Sequence, residues 1–245
     1  MDSRIVRLVL DAVASYQDKV AIVDGGGAAR TTYLQLLGTA VRTLEYIRSK
    51  GIAAQRFITI ELPENAAFIG VQLGIWLARC VSVPVGIAFP DDRKAYIAGH
   101  CDAALNIDGA AYEDILALAL PDVQLQDLLP GTLPQEEDDA LMIYTSGSTG
   151  NPKGVLHDHL SLMNAVEMMR VYEPGPDDRL ACGVHSYFIA QLFYLMIISA
   201  QRSISCPTRP SATSPPWRTT IRNTASASHS SVRQRGRTIS AGARG

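Results

Sequence analysis

The strongest structural signal in the sequence lies in residues 141–155, which read Leu141-Met142-Ile143-Tyr144-Thr145-Ser146-Gly147-Ser148-Thr149-Gly150-Asn151-Pro152-Lys153-Gly154-Val155. The apolar start, 141–144, predicts a β-strand that runs directly into the polar segment. The next ten residues hold three glycines, four hydroxyl side chains and a lysine. Glycine lets backbone N–H groups come close to an anion, while hydroxyls and lysine add donors and positive charge. The segment therefore predicts a loop that holds a polyphosphate.

Two other interpretations of this segment are weaker. A Walker loop needs Gly-Lys-Ser/Thr in succession, whereas Asn151 and Pro152 separate Gly150 from Lys153 here. A flexible linker is typical of Gly/Ser-rich composition. The segment, however, follows a predicted strand directly, and its order is non-repetitive and closes on a single Pro-Lys-Gly. Both features favour a binding loop over a linker.

Upstream of the loop, helix and strand patterns alternate. Apolar residues recur every three or four positions between Leu34 and Ile47, and Gly51 supplies a helix stop. The other predicted elements are strand 57–62, a helix capped by Asn65 with Phe68, Ile69, Leu73, Trp76 and Leu77 on its buried face, strand 81–85, helix 91–100, strand 104–107, helix 111–120 and strand 141–144. This alternation predicts an α/β fold, with helices layered on a parallel sheet of βαβ units. The acidic residues 136–139 are expected to form a solvated loop.

The charge divides the chain at about residue 200. Residues 1–200 hold 14 Lys+Arg against 24 Asp+Glu, a net charge of −10, whereas residues 201–245 hold eight Arg, no Lys and no acidic residue. The second segment is also rich in Ser, Thr and Pro and shows no helical or strand period. Such a composition cannot bury enough apolar surface to offset the entropy of ordering. We expect a folded acidic domain, 1–200, followed by a disordered tail, 201–245.

Several classes of protein are disfavoured by the sequence. The N-terminal segment lacks the uninterrupted apolar centre of a secretory signal, because Arg7 and Asp11 interrupt it. The longest apolar run, 187–200, is shorter than the roughly 20 residues that a membrane span needs. The four cysteines are far apart and form no Cys-x-x-Cys pair, so they suggest neither a zinc site nor a disulfide framework. We expect a cytoplasmic protein with reduced, buried thiols.

Residues 145–154 resemble the phosphate-loop signature of the adenylate-forming superfamily, which includes acyl-CoA synthetases, the amino-acid-activating domains of nonribosomal peptide synthetases, and luciferases. Residues 21–24 and 32–36 resemble the opening strands and first helix of that family, and residues 74–85 resemble its next block. The resemblance extends over about residues 5–200. It implies that this part of the chain is the incomplete N-terminal portion of an adenylate-forming large domain.

The resemblance also implies a two-step reaction. A carboxylate attacks the α-phosphate of ATP to give an acyl-adenylate and pyrophosphate, and a thiol of coenzyme A or of a carrier protein then takes the acyl group. The loop would hold the β- and γ-phosphates, with Mg²⁺ sharing their charge. The residues implied in phosphate binding are Thr145, Ser146, Gly147, Ser148, Thr149, Gly150, Lys153 and Gly154. The hydroxyls and the lysine would steady the pyrophosphate, and the glycines would give backbone donors and clearance.

Two signals disagree about which acid would be activated. The spacing of Pro84, Pro90 and Arg93 is similar to that of the amino-acid-activating domains. Those domains carry an aspartate in the region matching 184–188, where this chain has no carboxylate. His185 instead resembles the acyl-pocket histidine of acyl- and aryl-CoA synthetases. The alternative is that His185 has a purely structural role. An acyl or aryl acid and an amino acid are therefore both candidates.

Two further histidines, His157 and His159, follow the loop. Two positions apart, they would lie on different faces of a helix, so we do not expect them to share a metal ion. Asp158 is expected to cap that helix instead. The buried residues of the helix would be Leu162, Ala165, Val166 and Met169.

Residues 201–245 contain no counterpart of the family's later motifs, which contact adenine, magnesium and ribose and supply a hinge arginine and a catalytic lysine. We therefore expect little or no adenylation from these 245 residues, because the carboxylate and α-phosphate must be held in line.

The arginine-rich segment 201–245 contains no lysine. Arginine without lysine is typical of a GC-rich gene read in the wrong frame, so we hypothesise a frameshift near codon 200. Translation of the other reading frames tests this hypothesis. The alternatives are a non-catalytic nucleotide-binding pseudoenzyme and a domain with a basic nucleic-acid-binding arm, although no nucleic-acid partner is expected.

Overall fold

Helices and strands alternate along the chain in the computed structural model, which describes residues 1–24, 29–120, 127, 129–145, 152–169, 179–182 and 202–205. The helices are α1 (Arg4–Tyr16), α2 (Tyr33–Ser49), α3 (Ala66–Leu77), α4 (Asp91–His100), α5 (Gly109–Ala117) and α6 (His159–Met169). The strands are β1 (Val20–Asp24), β2 (Ala29–Thr32), β3 (Phe57–Ile60), β4 (Val81–Pro84), β5 (Leu105–Ile107), β6 (Asp139–Thr145), β7 (Lys153–Asp158), β8 (Arg179–Cys182) and β9 (Arg202–Ser205). All of these elements belong to one compact unit, Met1–Arg209.

The larger sheet is five-stranded, in the order β5-β3-β4-β6-β7. Strand β3 pairs in parallel with β4 and β5, and β4 pairs in parallel with β6. Helices α3 and α4 form the crossovers of β3-α3-β4-α4-β5, so the predicted α/β fold with parallel βαβ units is confirmed. Strand β7 departs from this pattern, because it returns antiparallel to β6 and places Lys153 opposite Thr145.

The second sheet has the order β2-β1-β9-β8. Strands β1 and β2 pair in antiparallel fashion, whereas β9 lies in parallel between β1 and β8. Strand β9 lies inside the segment 201–245, for which the composition predicts disorder. The pairing of β9 with two neighbours satisfies backbone groups that its composition alone does not account for.

Alternation along β6 sends its side chains to two different layers. Leu141 and Ile143 join the main core, which α1, α2, α3 and α6 cover. Met142 and Tyr144 point to the opposite face and pack with Ile97 of α4. Successive strand residues face opposite sides of a sheet, so a single strand links both layers.

Helix α3 forms the centre of the main core. The Asn65 side chain accepts hydrogen bonds from the backbone N–H groups of Ala67 and Phe68, which confirms the predicted cap. Helix α3 approaches α2 closely because it carries glycine at the contact. A Cβ atom on Gly74 would lie 2.5 Å from both the Ala40 carbonyl oxygen and the Thr43 Cβ. The small residue at position 74 therefore sets the distance between the two helices.

The acidic run 136–139 is not the solvated loop that its composition predicts. Glu136 is only 7% exposed, and it accepts a 2.6 Å hydrogen bond from the Arg4 guanidinium. Asp138 accepts two hydrogen bonds from Arg79, at 2.9 and 3.2 Å, and Asp139 begins β6. The prediction was wrong because arginines distant in sequence pair with these carboxylates, which makes their burial tolerable.

Candidate functional site

The two ends of the polar loop lie at the carboxyl edge of the parallel strands. Strands β3, β4 and β6 run in one direction, so their carboxyl ends meet at one edge of the sheet. Ser82 of β4 pairs with Leu141, and β6 continues to Thr145, beyond the level at which β4 ends. Ligands of open α/β sheets bind outside the carboxyl ends of the strands. The fold thus presents the loop at an edge suited to ligand binding.

The two ends of the loop are paired in the sheet. Thr145, the last residue of β6, lies opposite Lys153, the first residue of β7. The Thr145 hydroxyl donates to the Lys153 carbonyl oxygen at 3.5 Å, and both residues are exposed. The remaining residues predicted for this loop, Ser146, Gly147, Ser148, Thr149 and Gly150, lie outside the described residues, as does His185. The structure therefore pairs the two residues that flank the loop, a threonine and a lysine.

Gly154 has a packing role that the sequence did not reveal. It pairs with Tyr144 across the hairpin of β6 and β7. A Cβ atom at position 154 would lie 2.7 Å from the Met142 sulfur and 3.3 Å from Cζ of Tyr144. Its missing side chain therefore makes room for two residues of β6, in addition to any clearance for a ligand.

Three side chains that sequence reasoning missed lie beneath this hairpin. The Tyr96 hydroxyl of α4 donates to the Pro152 carbonyl oxygen at 3.3 Å. Nδ1 of His100 lies 2.7 Å from the Tyr144 hydroxyl, and the His100 ring stacks on Tyr96 with centroids 5.6 Å apart. The usable signals were the i, i+4 spacing of Tyr96 and His100 and the alternation along β6.

Burial controls the chemistry of Tyr144. Only 7% of this residue is exposed, and burial raises the pKa of its hydroxyl, helped by the neighbouring Cys101 thiol. The hydroxyl consequently stays protonated at physiological pH and can take part in a hydrogen bond with His100. Cys101 is itself buried and free, and burial raises the pKa of its thiol. The site beneath the hairpin is therefore uncharged at the tyrosine and cysteine positions.

The proline and arginine spacing that resembles amino-acid-activating domains has structural roles here. Pro84 ends β4, and Pro90 is the N-cap of α4. The Arg93 guanidinium carbon lies 4.0 Å from the centre of the Phe89 ring, a cation–π contact. These roles position α4 and do not depend on which acid is bound.

The segment after the loop confirms one predicted cap and corrects one placement. Asp158 Oδ1 accepts a 2.7 Å hydrogen bond from the Ser161 backbone N–H at the start of α6. His157 lies in β7 and not in the helix. The predicted buried face is confirmed at Leu162 and Val166, whereas Ala165 is half-buried and the Met169 side chain lies outside the described residues.

His159 is a core residue at the opposite edge of the sheet from the loop. It is 1% exposed, its Nδ1 lies 3.1 Å from the Ser3 hydroxyl, and its ring meets Trp76 edge-on at 5.2 Å. Burial lowers its pKa to about 4, despite the nearby carboxylates of Asp138, Asp158 and Glu136. His159 is thus neutral and packed at physiological pH.

Among the described residues, no group of three or more His, Cys, Asp or Glu side chains is arranged to hold a metal ion. No helix in the same part of the chain combines the length and apolar character that crossing a membrane requires. Cys80 joins Cys101 as a free, buried cysteine, which agrees with the prediction for these two thiols.

Comparison with known proteins gives a match to the AMP-binding enzyme family over residues 9–227. The chain belongs to the AMP-binding enzyme family. Enzymes of this family activate a carboxylate with ATP, in agreement with the reaction implied by the phosphate-loop signature. The matched range includes both strands of the loop hairpin and extends into the arginine-rich segment.

Three relatives illustrate how this AMP-binding enzyme chain resembles known proteins. It is 31% identical over 203 residues to malpibaldin synthetase of Mortierella alpina, covering 78% of this chain and 4% of that protein. Its fold is similar to VinN in complex with L-aspartate, with a TM-score of 0.72, 20% identity, and coverage of 84% of this chain and 57% of VinN. It is also similar to a Mycobacterium tuberculosis fatty acyl CoA synthetase, with a TM-score of 0.70, 20% identity, and coverage of 84% and 45% of the respective chains.

Proposed function

We propose that this chain carries the ATP-phosphate-binding part of an enzyme that converts a carboxylic acid into an acyl-adenylate. The observation that carries the proposal is the pairing of Thr145 with Lys153 at the carboxyl edge of the parallel sheet, with the polar loop between them. A hydroxyl and an exposed ammonium group at such an edge suit a polyanion. The chain spans a small fraction of malpibaldin synthetase and about half of the solved relatives, so the complete reaction is part of the proposal.

In this proposal each end of the loop has a separate task. The ammonium group of Lys153 attracts the β- and γ-phosphates and stabilises the charge that develops on the departing pyrophosphate. The Thr145 hydroxyl and the loop residues Ser146, Ser148 and Thr149 add hydrogen-bond donors, and Gly147 and Gly150 add backbone N–H groups. Mg²⁺ bound to ATP neutralises part of the phosphate charge. Fixing the nucleotide in one position favours attack by the carboxylate on the α-phosphate.

The proposed substrate is a carboxylic acid, either an acyl or aryl acid or an amino acid. VinN is described with L-aspartate and another structural relative as a fatty acyl CoA synthetase, so both classes occur among the relatives. The spacing of Pro84, Pro90 and Arg93 favours an amino acid, whereas the absence of a carboxylate in 184–188 favours an acyl or aryl acid. We propose His185 as a residue of the acid pocket, and a coenzyme A or carrier-protein thiol as the acceptor.

Equilibrium binding of MgATP to the 245-residue chain tests the phosphate-binding proposal. We expect saturable binding that Lys153→Ala weakens about tenfold or more, because a charge-assisted contact to phosphate contributes roughly 1.5–3 kcal/mol. Lys50→Ala is the matched control, since Lys50 is exposed at the end of α2 and lies over the Tyr46 ring. Equal binding by the wild-type chain and Lys153→Ala would contradict the proposal.

Acid-dependent exchange between ATP and pyrophosphate tests how far these residues proceed through the reaction. The sequence after residue 200 has no counterpart of the adenine, ribose and C-terminal lysine motifs. We therefore propose that the 245-residue chain binds ATP but gives little or no exchange. Clear exchange that depends on an added carboxylic acid would overturn this second proposal and leave the phosphate-binding role intact.

A further inference from the structure

We propose that Tyr96 and His100 are positioning residues, which hold the two ends of the phosphate loop in the geometry that ATP requires. The inference rests on the proposed ATP-binding role of the loop. Neither side chain contributes to the loop itself, because both project from α4, which follows the neighbouring strand β4. They form an α4 brace, defined here as the side chains of Tyr96 and His100, which contact Pro152 and Tyr144.

The brace contacts the chain on both sides of the loop. On the entering side, the brace contacts Tyr144, the residue before Thr145. The Tyr144 hydroxyl lies 2.7 Å from Nδ1 of His100. On the returning side, the Tyr96 hydroxyl donates to the carbonyl oxygen of Pro152, one residue before Lys153. Since Tyr96 and His100 are stacked on each other, the two attachment points are linked through a single pair of rings.

Helix α4 is firmly held, so its side chains can act as fixed reference points. Ile97, between the two brace residues, is fully buried in the layer that also contains Val83 and Tyr144. Lys94, on the preceding turn, forms an ion pair with Glu61 just beyond β3. A phosphate site depends on donors held in advance, because ordering them at the moment of binding would reduce affinity.

Four single variants of the full 245-residue chain test the brace. Tyr96→Phe removes only the hydroxyl that reaches Pro152, and His100→Ala removes the partner of Tyr144. His100→Gln restores a polar side chain that can bond the Tyr144 hydroxyl. Tyr16→Phe is the control, since Tyr16 lies on α1 and packs on Tyr33. Binding of MgATP and of magnesium tripolyphosphate is measured well below each variant's unfolding temperature, and the unfolding temperature is recorded alongside.

Loss of one brace hydrogen bond should weaken binding of both ligands by a similar factor, about three- to tenfold. His100→Gln should recover most of the affinity lost in His100→Ala, and Tyr16→Phe should bind as the wild type does. Wild-type affinity in both Tyr96→Phe and His100→Ala would overturn the brace while leaving the proposed function standing. Absence of MgATP and tripolyphosphate binding in the wild-type chain would instead overturn the proposed function and, with it, the role of the brace.

Discussion

The two ends of strand β6 differ in how they are held. At its start, the Ala140 carbonyl oxygen accepts hydrogen bonds from the Trp76 indole at 2.8 Å and from the Ser82 hydroxyl at 3.0 Å, in the buried core. At its other end, Thr145 is exposed, and its hydroxyl donates a 3.5 Å hydrogen bond to the Lys153 carbonyl oxygen on the far side of its own hairpin. Buried contacts therefore hold the start of β6, whereas its other end is exposed, where we propose that phosphate binds.

Truncation of the Trp76 side chain, which contacts the buried end of β6, should cause the largest loss of stability. Trp76 is fully buried, so Trp76→Ala should lower the free energy of unfolding by about 3–5 kcal/mol. Urea denaturation followed by circular dichroism measures the change. Trp76→Phe, which keeps a large ring but removes the N–H donor to Ala140, should lose less. An equal loss in the two variants would show that the hydrogen bond, and not the packing, dominates.

Lowering the pH should destabilise the chain through His159, which lies at the same buried end of the sheet. Its pKa is about 4 in the folded chain against 6.5 for a free histidine, so the unfolded chain binds more protons between these values. Stability should accordingly be full above about pH 6.5 and fall by up to about 3 kcal/mol as the pH approaches 4.

Unfolding free energies measured between pH 7 and 4.5 check the effect of His159. His159→Gln should flatten this part of the curve. A slope that survives His159→Gln would contradict the assignment of this pH dependence to His159.

A pair of glycine variants separates the close helix contact from helix propensity. Gly74→Ala should destabilise the chain by about 1–3 kcal/mol, because the new methyl group would overlap the Ala40 backbone and Thr43. Gly99→Ala in α4 meets no atom within 4 Å and should be neutral or stabilising by up to about 1 kcal/mol. Thermal unfolding of the two variants gives the comparison, and equal effects would contradict the packing argument.

The smallest loss of stability is expected where β6 and β7 meet the loop. Gly154→Ala brings a methyl group against the flexible end of Met142, which can move, so we expect a loss of about 1 kcal/mol or less. Met142→Ala should relieve the overlap, and a double-mutant cycle by urea denaturation measures the coupling. Additive effects of the two substitutions would show that the contact with Met142 does not determine which side chain position 154 tolerates.

Local signals in the sequence were sufficient for much of the fold. The helix that ends before Gly51, the Asn65 cap and the Asp158 cap are all present as predicted, because their causes lie within a few residues of each other. The phosphate-binding role predicted for the two ends of the loop, Thr145 and Lys153, stays a prediction, although the structure pairs these residues across the hairpin.

Other features could not be predicted because they depend on residues far apart in the chain. The Arg4–Glu136 pair joins residues 132 positions apart, so composition alone suggested a solvated run. The contact of His100 with Tyr144 spans 44 positions and needs the crossover that returns α4 beneath β6. The role of Gly154 depends on the antiparallel register that places Tyr144 opposite it.

Hydrogen exchange of backbone amides, with and without saturating MgATP, tests the central claim most directly. The account predicts slower exchange in peptides that cover residues 144–154, with unchanged exchange in β3 and at the start of β6, and loss of this protection in Lys153→Ala. Protection that appears elsewhere in the chain, or that persists unchanged in Lys153→Ala, would contradict the assignment of ATP-phosphate binding to this loop.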